Sequence, residues 1–145
     1  MTVFIDTAVP MYAAGGDHPL RLPCGRILAM IKQGDLDAVT SIEVVQEIAH
    51  RFLSIRRPDS AVRLASDVLD LFAPVLPVTH AVMRRLPDLM EQYPSLASRD
   101  LVHVATCIHE GITEIVSPDR GFDQVAELRR IDPAEFATDA AADPA

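Results

Sequence analysis

The residues of this chain best suited to chemistry are acids, and their placement says more than their number. In "EIVSPDRGFDQV", residues 114–125, the apolar pair Ile115-Val116 is cut off by Ser117-Pro118, and Asp119 and Asp123 then flank an Arg-Gly-Phe turn. Asp6 stands in the same relation to the apolar run that opens "TVFID". Asp100 falls in the first turn of the helical stretch "SRDLVHVATCIHEG", in phase with Val104, Cys107 and Ile108, so it shares the stripe that should face the sheet. A carboxylate aimed that way needs a partner. In an open parallel α/β sheet, sites are built at the carboxyl ends of the strands, an arrangement that would gather Asp6, Asp100 and Asp119 at one sheet edge.

Convergence of this kind is costly. Two carboxylates about 5 Å apart repel by roughly 3 kcal/mol at an effective dielectric of about 20. The cluster persists only if a proton is shared or a cation is bound. No Lys or His motif stands among these acids to neutralise them, and hard oxygen ligands without His or Cys suit Mg²⁺ or Mn²⁺ rather than zinc. The commonest chemistry of an all-carboxylate divalent site is phosphoryl transfer. Each acid also has a plainer reading. Asp6 with Thr7 could N-cap the next segment, Asp119 could cap the short helix holding Phe122 and Val125, and Asp100 could complement a helix dipole. Three caps at the same sheet edge is the less economical account.

The elements that must position these acids alternate along the chain. "TVFID", "LDAVTS", "PVLPVT" and "TEIVS" read as strands, with "RRID" as a further short one. Between them lie helical patterns: "LRLPCGRILAMIKQG" stopped at Gly34; "SIEVVQEIAHRFLSI" with Val45, Ile48, Ala49 and Phe52 on one stripe; "DSAVRLASDVLDLFA" entered after Pro58; and "HAVMRRLPDLMEQ", bent or divided by Pro87. Strands alternating with helices predict a three-layer α/β domain with a mainly parallel central sheet of four or five strands. No repeat, internal linker or second domain is evident. Residues 1–136 are expected to form one domain, and the acidic, Ala-rich 137–145 a disordered tail.

Composition narrows the possibilities further. At 145 residues the chain suits a single domain with a real core; it is 49% apolar but only 5% aromatic with no Trp, so that core must be aliphatic. Cys24 and Cys107 form no CxxC pair and no metal-finger spacing, which favours a reducing compartment. The N-terminus lacks a basic segment, and no apolar run approaches a membrane span, so a cytoplasmic protein is expected. The net charge of −8 opposes nucleic-acid binding unless there is a local basic surface, or metal ions reverse the sign of an acidic pocket. The one notable basic run is Arg51, Arg56, Arg57 and Arg63; it reads first as a solvated helix face and second as an RNA-backbone contact. The five histidines show no paired spacing and read as solvated or locally hydrogen-bonded, with His103 able to contact substrate from the helix it shares with Asp100. A dehalogenase-type phosphatase would need an acid two residues after Asp6, where Ala8 stands. A phospho-receiver domain would need an Asp closing its third strand and a late Lys, but "PVLPVTH" has no Asp and the single lysine is Lys32.

Taken in order, "FIDT", "TSIEVVQEI", "SRDLVHVATCIHEGITEIVSPDRGFDQV" and "RIDP" resemble the PIN domain, specifically a VapC-type toxin, over essentially the whole chain to Phe136. Each fragment is weakly specific; the ordered set is strongly so. The resemblance implies that Asp6, Glu47, Asp100 and Asp119 are the catalytic and metal-binding acids, with Asp123 in support and Thr7 and Ser117 as small hydroxyl residues of the pocket. Helical pattern alone does not choose between Glu43 and Glu47, and an exposed Glu47–Arg51 pair is an equally good reading of the residues; the resemblance selects Glu47. It further implies a Mg²⁺- or Mn²⁺-dependent endoribonuclease that cleaves single-stranded regions of structured RNA, tRNA or rRNA, and so blocks translation. A VapB-type antitoxin would neutralise it through a helix laid in a groove. A homodimer is also implied, for which an aliphatic helix face carrying Leu69, Leu71 or Met83 is a candidate, although burial in the core is the first expectation for each. The competing functional readings are a PIN-fold RNA-processing nuclease and a non-catalytic binding module.

Overall fold

The computed structural model describes residues 1–136, so the expectation for the tail lies outside the described residues. Four short strands, β1 (Val3–Ile5), β2 (Ala38–Val39), β3 (Glu114–Val116) and β4 (Arg129–Ile131), form one sheet in the order β2-β1-β3-β4. Every pairing is parallel. Parallel neighbours need long crossovers, and here helices supply most of them: α1 (Ala8–Ala14), α2 (Arg21–Lys32), α3 (Ile42–Ser54), α4 (Pro58–Leu71), α5 (His80–Met83), α6 (Leu86–Gln92) and α7 (Ser98–Glu110). The core is aliphatic, as the composition requires: Ile5, Ile27, Ile48, Val104 and Ile115 are wholly buried, with Phe4 and Phe122 among them.

The topology explains why acids follow the strands. From β1 the chain passes to β2 on one side and later returns through β3 on the other, so the strand order reverses between β1 and β3, where α/β sheets open a crevice. Ile5 pairs with Val116, and the Asp6 N–H donates to the Val116 carbonyl at 3.1 Å. Asp6 and Ser117 therefore leave the sheet side by side. α7 packs against α3, α5 and α6 and presents its first turn, with Asp100, at the same edge.

Several elements differ from the sequence reading. "PVLPVT" is not a strand of the sheet. Pro74 and Pro77 remove two donors, and the segment makes a single parallel bridge, Ser41 with Leu76, beyond the end of β2. α1 was not expected: its sequence is small and partly β-branched, but Pro10 falls in the first turn, where an N–H has no helical partner, and Gly15 stops it. Pro87 divides rather than bends its segment, sitting in the first turn of α6. On α3 the buried line runs through Val44 and Ile48, one residue round from the predicted stripe; Val45, Ala49 and Phe52 are only partly covered. Leu69 and Met83, expected in the core, are 44% and 41% exposed, whereas Leu71 is partly buried.

Candidate active site

Asp6 is fixed by both oxygens. The Thr7 N–H donates to Oδ1 at 2.8 Å and the Ser117 hydroxyl to Oδ2 at 2.6 Å. Burial raises its pKa, while His103, Ser117 and the Thr7 N–H pull the other way and Glu47 adds to the rise. Asp100 is pushed up to about 6, first by burial and then by the charges of Asp6 and Asp119, against the pull of His103 and Arg99. The charged form of both carboxylates is thus penalised, the electrostatic condition that a bound cation relieves.

One residue overturns the expectation that no histidine stands among the acids. His103, one turn along α7 from Asp100, is wholly buried rather than solvated. Its Nε2 lies 2.7 Å from Glu47 Oε1, 3.6 Å from Asp6 Oδ1 and 3.5 Å from Thr7 Oγ1. Burial lowers its pKa, but the hydrogen bond to Glu47 and the charges of Asp6, Glu47 and Asp100 outweigh it, so the net shift is upward. The carboxylate can only accept when ionised, so Nε2 donates and His103 ties α7 to α3 across the floor of the site. Nδ1 has no partner. The signal in the sequence was the three-residue step from Asp100 along the stripe of Val104 and Cys107.

Glu47 is 17% exposed at the side chain and turns inward; its ionic partners are His103 and Arg99, the latter at 3.6 Å, in place of the exposed pairing with Arg51. Glu43 lines the same cavity, its pKa raised by burial and by Glu47. Arg99, beside Asp100 in the sequence, was not singled out by its pattern.

Asp119 both caps and faces the site. Its Oδ1 accepts from the Gly121 N–H at 2.9 Å, opening the 3-10 turn Arg120–Gln124, and its own N–H donates to Ser117 Oγ at 3.0 Å. Gly121 sits at a close approach: a Cβ there would stand 3.1 Å from Asp119 Oδ1 and 3.1 Å from Leu96 Cδ2, so one of these side chains would have to give way. Asp123 is placed differently. It is exposed and pairs with Arg130, whose Nε reaches its Oδ1 at 2.8 Å. Arg130 in turn donates through Nη1 to the Ser117 carbonyl at 3.0 Å. Asp123 is therefore linked to Asp6 through Arg130 and Ser117, and does not line the cavity.

Asp6, Glu47, Asp100 and Asp119 line one cavity of about 960 Å³. Asp6, Asp100 and His103 can each bring one ligand atom within 4.8 Å of the others. With Nε2 committed to Glu47, that nitrogen is not offered to a cation, and the carboxylate oxygens of Asp6 and Asp100 are donors that fit Mg²⁺ or Mn²⁺. Of the candidate RNA contacts, Arg51 lines the cavity, whereas Arg56 and Arg57 are exposed at the α3–α4 turn and do not.

The pattern that defines the PIN domain matches residues 3–128, and the chain belongs to that family. Among its relatives, ribonuclease VapC13 of Mycobacterium tuberculosis is 33% identical over 129 residues, which is 89% of this chain and 98% of the relative. Ribonuclease VapC23 of the same species is 35% identical over 120 residues, 81% of this chain and 92% of the relative. In fold, the chain is similar to a chain of VapBC2 from Rickettsia felis, solved bound to a promoter DNA fragment, with a TM-score of 0.70 at 16% identity over 90% of this chain and 98% of the other. No helix of the described residues is long and apolar enough to cross a membrane.

Proposed function

We propose that this chain is a divalent-metal-dependent endoribonuclease of the toxin type, cutting single-stranded regions of structured RNA such as tRNA or rRNA and thereby inhibiting translation in the cytoplasm. The observation that carries the reading is the gathering of Asp6, Glu47, Asp100 and Asp119 on one open cavity, where burial penalises the charged forms of Asp6 and Asp100. Its support from relatives is that similar proteins at 33% and 35% identity are named ribonucleases. Bound Mg²⁺ or Mn²⁺ would activate water and stabilise the leaving oxygen at this site. Asp6, Asp100 and Asp119 would hold the ion, and Glu47, oriented by His103, would complete the cluster and orient the attacking water. Thr7 and Ser117 fix the Asp6 carboxylate, and the Arg130–Asp123 pair holds Ser117 in place. The products would carry 5′-phosphate and 3′-hydroxyl ends.

A nuclease of this kind must be restrained in its own cell. The restraint would be a VapB-type antitoxin whose helix lies in a groove and whose Arg or Lys reaches the acids. Solved structures of similar fold include a toxin–antitoxin complex from Klebsiella pneumoniae. The exposed Leu69 and Met83 are available for a homodimer. The test is to induce the chain alone and together with the neighbouring small gene, then sequence RNA 5′ ends. Growth arrest with new cleavage sites, both reversed by the partner, is expected; equal growth with no copurifying partner would favour a housekeeping PIN nuclease.

A further inference from the structure

The cavity extends well beyond the acids, and its lining changes character along α3. Glu43 and Glu47 face the cluster; one and two turns on, His50, Arg51 and Ser54 line the same cavity. At 1.5 Å per residue, Glu43 to Ser54 spans about 16 Å, so the groove is long enough for the scissile phosphate and a flanking nucleotide. Along α3 the charged lining residues pass from Glu43 and Glu47 to Arg51. The facing wall is α1, where Tyr12 lines the cavity. Tyr12 stacks on His18 with ring centroids 4.4 Å apart and planes 26° from parallel. His18 does not line the cavity, and its Nδ1 accepts from the Leu20 N–H at 3.0 Å, which fixes the ring on its side of the tyrosine.

We infer that the groove between α1 and α3 is a subsite for the nucleotide next to the scissile phosphate, with the Tyr12 ring stacking an unpaired base and Arg51 meeting the adjoining phosphate. The inference rests on the ribonuclease reading and names what that site holds. A phosphate needs a cation, and in this acidic chain Arg51 lines the groove one helical turn beyond Glu47. A base needs an aromatic face, and Tyr12 lines the groove with one ring face stacked on His18. Stacking of this kind accepts any base but requires it to be unpaired, so the subsite selects single-stranded RNA by conformation rather than by hydrogen-bond readout.

The experiment uses a short single-stranded oligoribonucleotide carrying 2-aminopurine, with Mn²⁺ and the whole chain. Wild type and Tyr12→Phe should quench the probe on binding. Tyr12→Leu should abolish the quench and raise KM about tenfold, in the range of one lost base–aromatic stack, with Mn²⁺ affinity as in wild type. Arg51→Met should reduce the slope of log affinity against log salt by about 0.7. If wild type cleaves the oligonucleotide but Tyr12→Leu quenches and binds as wild type does, the subsite is wrong and the nuclease reading stands. If both substitutions leave RNA binding unchanged and weaken only a copurifying protein partner, the groove is a protein-docking surface and the inference is overturned. If wild type neither binds nor cleaves RNA, both readings fall.

Discussion

Saturating Mn²⁺ should raise the melting temperature of this chain, and the size of the rise should depend on pH through Asp100. A ligand present at 100 times its Kd stabilises by about 2.7 kcal/mol, which for a domain of this size is about 5–10 °C. Asp100, pushed up to about 6, must lose its proton to bind the ion. At about pH 5.5 the proton competes and the apparent Kd rises roughly fourfold, removing about 0.8 kcal/mol of the metal effect. The metal-free protein should move the other way. The folded-state pKa of Asp100 lies above its unfolded value, so its ionised form is a penalty above about pH 6 that is relieved as pH falls toward 4. Asp6 is shifted in the same direction. His103 is also raised, and the stability it contributes, present at low pH, is lost as pH rises through its folded-state value. All three groups make the metal-free protein more stable on mild acidification while the metal increment shrinks. Calorimetric scans with Mn²⁺ and with chelator, at about pH 5.5 and at about pH 7.5, where Asp100 is ionised, measure the two trends. A melting temperature indifferent to Mn²⁺, or a metal increment equally large in Asp100→Asn, would refute the reasoning.

Three further outcomes are expected from the residues around the cluster. His103→Ala removes the donor that holds Glu47 and should cost about 2–3 kcal/mol in denaturant titration, less than a fully buried pair because Glu47 retains some solvent contact. The same substitution should weaken Mn²⁺ binding. Gly121→Ala forces Asp119 or Leu96 to move and should lower cleavage about tenfold with little change in melting temperature, since the shift acts on a side chain at the cavity mouth. Asp123→Asn should be milder than loss of any cavity acid, and Arg130→Met should match it: both loosen the hold on Ser117, with Mn²⁺ affinity by isothermal titration falling severalfold.

Much of this organisation is legible in the chain because it is local. An apolar run closed by an acid, directly in Val3-Phe4-Ile5-Asp6 and after Ser117-Pro118 in the case of Ile115-Val116 and Asp119, marks a buried parallel strand and its carboxyl end, and it points to Asp6 and Asp119 at one edge. Asp100 was readable from helical phase. What the sequence could not carry was long-range pairing. Whether Glu47 faces solvent or the site depends on α7 lying against α3 and on His103 reaching across, a contact between residues 56 positions apart. The same holds for Arg130, which a strand pattern alone leaves as a surface charge and which the sheet order turns toward Asp123 and Ser117. "PVLPVT" misled for the converse reason: its residues favour extended backbone, but its prolines remove the donors a ladder needs. α1 was obscured by a proline whose position in the first turn makes it harmless.

The most direct measurement is cleavage of single-stranded RNA by the purified chain with Mn²⁺ or with chelator, comparing wild type with Asp6→Asn, Asp100→Asn and Asp119→Asn. The account predicts Mn²⁺-dependent products with 5′-phosphate ends from wild type. It predicts cleavage reduced to background in each variant, with folding retained or improved because each substitution removes one charge from a crowded cluster. Activity that persists in chelator, or near-wild-type cleavage by any two of the three variants, would contradict it.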